Sequence, residues 1–483
     1  MFALNSNVPA FFSDLCDEIR LFMPAKKIDE TDTIPQDGTC IFLRYQKEDT
    51  DWLVKTALYV DGQLRAEHSG SAPVREESAL IEKKYKKRFL KNAVYELLKT
   101  YFKQSPPWGS LTGIRPTKLV RELCTQMGRE KARGYFQQEF DVSQTKTRLA
   151  FDIAERQMPL IAASEAADVD IYIGIPFCKS RCSYCSFVSR EYGRYTALKD
   201  EYLKCLFYEM EQAAKWISPG RVRCIYIGGG TPTALNAQEL KALLSHTTAC
   251  FPQWDEFTVE AGRADTIDEE KLALILRSGA NRISVNAQTT NAQTLKAIGR
   301  TYPPEEYQRA FLMARRAGFS CINSDIIFGL PGEQAEMIKK TLEDVTALEP
   351  ENITVHTLAL KNSSYLAEQQ DVTYPDAQSV AQMVEYARDY LEHRGYYPYY
   401  LYRQKYMAGN LENVGYARPG FICKYNIDIM EETTSVLALG AGGISKRLYP
   451  EQNRIERACN VKDIATYNAR IKDMLARKKP LFD

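Results

Sequence analysis

Histidine is scarce in this chain, with 4 residues in 483. A metal centre built on several imidazoles is therefore not the first expectation. Net charge is nearly absent too: 63 Lys+Arg stand against 62 Asp+Glu, so nothing in the balance favours a polyanion. No window of the sequence approaches the roughly 18 unbroken apolar residues of a membrane span. The opening MFALNSNVPAFF has no basic n-region, and Asn5, Asn7 and Pro9 interrupt its apolar stretch, so no secretory leader is expected. Internal repeats and low-complexity tracts are missing as well. The composition that remains, 45% hydrophobic and 26% charged, is ordinary for globular proteins. It excludes disordered, collagen-like and coiled-coil classes.

Cysteine is what the chain does have, at 12 residues. A chain of this length buries its own core and needs no disulfide staples, which points to a reducing, cytoplasmic setting. Only Cys178, Cys182 and Cys185 cluster, as C-x3-C-x2-C. The others are scattered and read as small buried hydrophobes.

Three regions follow from the pattern. Residues 1–165 read as an α+β extension of unknown role. TCIFLRY and WLVKTALYV form two strands, a helix covers about residues 76–103, and Pro116 opens further helices. The run Lys83, Lys84, Lys86, Lys87, Arg88 and Lys91 lies inside that long helix and reads as a solvated face. Residues 166–365 carry six apolar, β-branched runs (169–175, 224–227, 257–260, 282–286, 321–328 and 353–358), most of them separated by amphipathic helices. That rhythm predicts a parallel sheet with right-handed crossovers. Six units are fewer than the eight of a closed barrel, so the fold class is α/β, an open partial (β/α)6 TIM-type barrel. Residues 366–483 read as a mainly helical C-terminal domain covering the substrate.

The three thiols fall in a loop directly after the first strand of the barrel, where such folds place their chemistry. Three thiolates can hold a [4Fe–4S] cluster while leaving one iron open. A structural zinc site takes four ligands, and no fourth Cys or His stands nearby.

The segment YIGIPFCKSRCSYCSF resembles the radical S-adenosylmethionine (radical SAM) signature. Its lead-in is similar to that of the oxygen-independent coproporphyrinogen III oxidase family, and LTGIRPTK in the extension resembles the HemZ-like branch. The resemblance implies that Cys178, Cys182 and Cys185 hold the cluster and that SAM occupies the open iron. Reductive cleavage of SAM then yields a 5′-deoxyadenosyl radical. It assigns the SAM amino group to the loop of Gly229, Gly230 and Thr231, and the ribose or amino group to Glu260. Gln288 becomes a SAM contact, Arg300 a partner of the SAM carboxylate, and Asp325 a ribose ligand. Tyr172 is the catalytic candidate beside SAM.

The reaction so implied is oxidative decarboxylation of propionate side chains toward protoporphyrinogen IX in haem biosynthesis. Its partners are a porphyrinogen-type substrate and an electron donor of flavodoxin or ferredoxin type. Neither a membrane nor a nucleic acid is expected. Arg190, Arg194, Arg403, Lys405 and Arg418 are candidate carboxylate clamps, and the aromatic run 397–402 a candidate macrocycle floor. Three positions depart from the family pattern: Phe187 stands where a fourth cysteine occurs, Gly174 where a histidine precedes the lead-in, and Gly409 where a haem-binding histidine occurs in the chaperone branch. The alternatives are a haem-binding chaperone-like radical SAM protein with little turnover, and another tetrapyrrole-modifying radical SAM enzyme; an RNA-modifying enzyme ranks last. None of the four histidines is expected beside these motifs.

Overall fold

The computed structural model describes residues 2–23, 27–74, 78–113, 115–187, 189–217, 221–361, 364–368, 372–404 and 407–482. The chain divides into two units, Met1–Phe151 and Asp152–Asp483. The break falls inside a helix, earlier than the change of sequence pattern near residue 165, because helical periodicity runs through it unaltered.

The first unit contains β1 (Phe2–Ser6), α1 (Phe12–Ile19), β2 (Asp29–Glu30), β3 (Thr39–Lys47), β4 (Asp51–Val60), β5 (Gln63–Pro73), α2 (Ala79–Phe102), α3 (Pro116–Met127) and α4 (Arg129–Phe140), and α5 (Gln144–Ala162) leads out of it. The strands form one sheet in the order β2-β1-β3-β4-β5. β3 and β4 are the two expected strands. β5 was not anticipated: its sequence QLRAEHSGSAP is polar, since it lies at the sheet edge with half of its residues in solvent. Asp61 and Gly62, both at positive φ, turn the chain from β4 into β5. The hydroxyl of Ser78 caps α2 by accepting from the Ile81 amide at 3.3 Å. Leu90, Val94, Leu97 and Leu98 of α2 then pack in one core with Leu4, Ile41, Leu43 and Val54 of the sheet.

The second unit alternates strands and helices: β6 (Val169–Ile175), β7 (Phe177–Cys178), β8 (Arg190–Glu191), α6 (Thr196–Ala213), β9 (Val222–Gly229), α7 (Ala237–Cys250), β10 (Glu256–Glu260), α8 (Glu269–Arg277), β11 (Arg282–Ser284), α9 (Ala292–Ala297), α10 (Pro304–Ala317), β12 (Ile322–Phe328), α11 (Ala335–Ala347) and β13 (Asn352–Thr357). The six expected strands pair in parallel in chain order, β6-β9-β10-β11-β12-β13. Their outward side chains, among them Ile173, Ile227, Val259, Ile326 and Val355, are buried beneath the helices. Their inward side chains are polar, because they face a cavity instead of a second sheet. Tyr172, Tyr226 and Thr258 stand side by side across the first three strands, and Ser284 pairs with Asn323 across the next two.

The C-terminal segment adds strands to the helices expected of it. Read as mainly helical, it holds α12 (Ala377–His393), α13 (Lys424–Glu431), α14 (Ile464–Ala469) and α15 (Ile471–Phe482). It also contributes β14 (Tyr397–Tyr402), β15 (Asn413–Ala417), β16 (Ser435–Leu439), β17 (Ile444–Tyr449) and β18 (Arg454–Cys459) to the same sheet. β15 adds antiparallel to β13, and β16 adds parallel to β6. Runs of five or six residues such as SVLAL show no decisive period, and their pairing partners lie far away in the chain. The resulting sheet reads β14-β15-β13-β12-β11-β10-β9-β6-β16-β17-β18, with open ends among the described residues.

Below the barrel, α13 is fastened to the amino ends of the strands. Glu256, the first residue of β10, accepts from the amides of Lys424 at 2.9 Å and Tyr425 at 3.1 Å. A carboxylate there satisfies free N–H groups at the positive end of the helix. Arg223 of β9 donates to Asp428 of α13 at 2.8 Å, and both are buried.

Candidate active site

The carboxyl ends of the parallel strands enclose a cavity of about 550 Å³, within the range of small-molecule sites. Cys178, Cys182 and Cys185 line it on the loop that leaves β6. So do Tyr172 of β6, Gly229, Gly230 and Thr231 after β9, Glu260 of β10, Gln288 after β11, Arg300 after α9 and Asp325 of β12. Every residue expected to hold the cluster, contact SAM or act beside it thus lines one space, although the set spans 154 positions from Tyr172 to Asp325 of a sheet built strand by strand.

The cysteine loop is held from several sides. Short β7 pairs with β8 beyond the triad. The Ser183 amide donates to the Ile298 carbonyl at 3.0 Å, and the Leu366 amide donates to the Ser183 carbonyl at 3.0 Å. The amides of Gly230 and Thr231 donate to the carbonyls of Ile175 and Phe177 at 2.8 and 2.7 Å. Glycine is obligatory at 230, since a Cβ there would lie 2.6 Å from both of those carbonyl oxygens. At 228 an added Cβ would meet side chains instead, the Glu260 carboxylate at 2.5 Å and the Tyr226 ring at 2.8 Å, both of which would have to shift. The GGG motif is therefore a close approach of backbone to neighbouring strands, with its amides already committed.

The sulfurs sit among donors. The Thr231 hydroxyl donates to Cys178 Sγ at 3.5 Å, and Arg263 Nη1 donates to Cys182 Sγ at 3.5 Å. Burial pushes the Cys178 thiol up and the Cys185 thiol up to about 11. Thiolates in this pocket thus need a positive partner such as iron. Arg263 escaped the sequence reading because one arginine in EAGRAD carries no spacing signal; its place just past β10 was the available clue. Arg263 is fixed by Asp265 through Nε at 3.0 Å and Nη2 at 3.1 Å.

On the opposite wall, Tyr172 stacks on Tyr226 and Tyr226 on Tyr425, with centroids 6.4 and 4.4 Å apart. Burial pushes the Tyr172 phenol above its ordinary range and the Glu260 charge adds to it, so Tyr172 is a neutral phenol. Glu260 is itself pushed up to about 7, chiefly by burial, with the Asp325 charge adding to the effect. The Tyr226 hydroxyl and the Gly229 amide donate to it in opposition. Burial also works against ionisation of Asp325. The His356 ring at 3.7 Å, with hydrogen bonds from Asn323 and Thr354, outweighs it and holds the carboxyl below its ordinary range. His356 thus corrects the expectation that no histidine lies beside the motifs: β13 brings it next to Asp325, and Tyr402 lies 3.3 Å from its Nδ1.

Gln288 and Arg300 carry open valences. Gln288 sits at φ 63°, its amide and carbonyl bonded to β12, and its buried Oε1 has no hydrogen-bond partner among the described residues. Arg300 is 3% exposed and donates to the carbonyls of Asn286 at 2.6 Å and Gly262 at 3.1 Å, leaving Nε without a partner among the described residues. Buried polar atoms of this kind are costly unless a ligand meets them.

A family model for the radical SAM superfamily matches residues 172–345. Over 383 residues the chain is 39% identical to the oxygen-independent coproporphyrinogen-III oxidase-like protein HemZ of Bacillus subtilis, a match covering 77% of this chain and 76% of that protein. The chain belongs to the HemZ-like family of radical SAM proteins. The haem chaperone HemW of Lactococcus lactis is 33% identical over 279 residues, 56% of this chain and 68% of that one. The fold is similar to that of the coproporphyrinogen III oxidase HemN of Escherichia coli, with a TM-score of 0.52 at 23% identity, covering 67% of this chain and 73% of that one.

The cofactors of this radical SAM family, a [4Fe–4S] cluster and SAM, fit the residues present. Three soft sulfur donors share one loop with arginine beside them, and Gln288 and Arg300, each with a buried atom that lacks a hydrogen-bond partner among the described residues, line the same cavity. Of the departures from the wider pattern, the one at Gly409 has a local cause. At Gly174 an added Cβ would lie 3.4 Å from the Leu439 carbonyl, an ordinary contact. Gly409 sits at φ 61° with the Ala377 carbonyl 3.2 Å from an added Cβ, so a histidine there is strained. Phe187 is 67% exposed at the cavity mouth.

Four of the five expected carboxylate clamps are not among the residues that line the cavity. Arg190 lies over the Tyr195 ring, Arg194 pairs with Glu191 and Arg418 with Glu349. Arg403 is buried against the Asn410 carbonyl, and Lys405 lies outside the described residues. Of the aromatic run, Tyr399, Tyr400 and Tyr402 line the cavity, while Tyr397 is exposed beyond it.

Proposed function

We propose that this protein is a radical SAM oxidoreductase that converts propionate side chains of a porphyrinogen to vinyl groups, in the manner of an oxygen-independent coproporphyrinogen III dehydrogenase. The observation that carries the reading is the convergence of the cysteine triad and all the assigned SAM contacts on one cavity, in a chain of the HemZ-like family. When bound, the cluster and SAM supply the 5′-deoxyadenosyl radical that removes a hydrogen atom from the propionate. The propionate then loses carbon dioxide and gives one electron to an acceptor, and two such reactions lead to protoporphyrinogen IX.

The chain's own residues are assigned as follows. Cys178, Cys182 and Cys185 hold the cluster, with Arg263 offsetting the charge at Cys182. Arg300 pairs with the SAM carboxylate, a charge-assisted bond that also fixes its orientation. Glu260 and the carbonyls near Gly229, Gly230 and Thr231 receive the amino group. Gln288 and Asp325 contact the remaining polar atoms of SAM, including the ribose. Tyr172, a neutral phenol on the stack with Tyr226, bounds the space beside SAM and excludes water from it. An electron donor of flavodoxin or ferredoxin type reduces the cluster. Among the described residues no helix is long and apolar enough to cross a membrane. We place the protein in the cytoplasm, where a cluster of exposed thiolate chemistry is kept reduced.

The HemW relatives support a second reading, a haem-binding protein with little turnover. The backbone at Gly409 and the engagement of His356 by Asp325 and Tyr402 weigh against it. Anaerobic cluster reconstitution followed by SAM, reductant and coproporphyrinogen III separates the two. Vinyl products together with 5′-deoxyadenosine are expected by mass spectrometry, and Cys182→Ala should lose both along with the cluster's visible absorbance. 5′-Deoxyadenosine without decarboxylation rejects the substrate, and haem binding without 5′-deoxyadenosine favours the carrier.

A further inference from the structure

Not every cation that lines the cavity has a carboxylate beside it. Of its basic lining residues, Arg263 pairs with Asp265 at 3.0 Å and Arg282 with Glu256 at 3.7 Å, and the His356 ring lies 3.7 Å from Asp325. Two have no carboxylate within ion-pair distance among the described residues: Arg300 and Lys361. SAM carries a single carboxylate, which Arg300 takes in the assignment above. Lys361 is left over.

Its position is built. Lys361 follows β13, the last strand of the parallel series, and is half-buried in the wall facing the cysteine loop. The Lys361 carbonyl accepts from both the amide and the hydroxyl of Ser364 at 2.8 Å. Leu358 and Leu360 on its amino side pack in one apolar cluster with Tyr184 of the cysteine loop. The Cys185 sulfur is the titratable group whose charge acts on it. A half-buried ammonium, fixed at its backbone and lacking an acid, is the chemistry of an anion subsite.

We propose that Lys361 binds a carboxylate of the substrate, a propionate of the tetrapyrrole, and so sets the macrocycle's position relative to the cysteine loop. This rests on the porphyrinogen reading above, and it takes the place of the sequence-derived clamps Arg190, Arg194, Arg403 and Arg418, which have other partners. The lysine supplies a point charge on a flexible stem, which suits a carboxylate that must shift as neighbouring side chains react in turn.

The test uses the full chain with its cluster reconstituted anaerobically. Coproporphyrin III binding is followed by fluorescence, and SAM binding and cluster absorbance are recorded in parallel. Lys361→Gln should weaken coproporphyrin III binding by about tenfold, the scale of one charge-assisted bond. Lys361→Arg should keep most of the affinity, and SAM affinity and absorbance should be unchanged in both. Coproporphyrin tetramethyl ester, without anionic carboxylates, should bind wild type and Lys361→Gln alike. Equal coproporphyrin III affinity in wild type and Lys361→Gln overturns the assignment while leaving the function standing. A shift of the cluster's potential with unchanged porphyrin binding also overturns it, making Lys361 a counter-charge to Cys185. Wild-type protein that binds no coproporphyrin III overturns the tetrapyrrole reading and Lys361 with it.

Discussion

The basic run of α2 and the two lone cations of the cavity make opposite use of positive charge. In α2 six cationic residues fall between Lys83 and Lys91, a density that draws the eye to a binding surface. Yet Lys84 pairs with Glu122, Lys87 with Asp14 and Lys91 with Glu18, at 3.6, 3.3 and 3.2 Å. Lys86 lies over the Tyr45 ring at 3.8 Å, and Arg88 donates to the Tyr135 hydroxyl at 3.0 Å. Arg300 and Lys361 each stand alone in the sequence and have no carboxylate partner among the described residues. A crowd of like charges on a surface helix recruits acids from adjacent helices and rings from the sheet. A single cation turned inward from a strand-end loop finds carbonyls and phenols, and its charge stays available to a ligand.

Arg300→Ala gives the sharpest contrast. SAM affinity should fall by about 10- to 100-fold, the range of a hydrogen bond between charged groups, with cluster absorbance retained. Unchanged SAM affinity would remove Arg300 from the site and erase the difference between the two groups. A smaller effect is expected from Glu260, whose carboxyl is pushed up to about 7. If SAM binds the ionised form, binding below pH 7 must displace a proton. Affinity should then rise with pH by up to about tenfold per unit and level off above 7. Glu260→Gln should flatten that profile between pH 5.5 and 7.5. A wild-type profile already flat over that range means that SAM does not meet this carboxylate. Least of all should change in Lys87→Ala, which removes an exposed ion pair worth less than about 1 kcal/mol. Its SAM affinity should equal wild type, and its urea midpoint should barely move. A loss of SAM affinity here would show that the α2 charges serve the site.

Much of the barrel was legible in the residues. Strand β6 matches the expected run to the residue, and α10 starts at Pro304 within one position of its reading. The expected strands were apolar on their outer faces and most were separated by amphipathic helices, so local pattern sufficed. β16 was not legible, because VLAL followed by glycines describes a buried strand no better than a turn. Its identity depends on pairing with β6 more than 250 residues earlier. Arg263 and His356 escaped for the same kind of reason: each is one polar residue in a strand-end segment, and only closure of the sheet brings it to Cys182 or Asp325.

The sequence by itself determined the chemistry of the cysteine triad, since three thiols at C-x3-C-x2-C leave one iron open wherever the loop is placed. It also determined the order of the parallel strands, through alternation of strand and helix. Tertiary structure alone decided which charges remain available. Pairing depends on what lies within about 4 Å in space, and that is set by long-range register and packing. The scarcity of histidine excluded a multi-imidazole centre at the outset; it took the register of β12 and β13 to show that one of the 4 stands at the cavity beside Asp325.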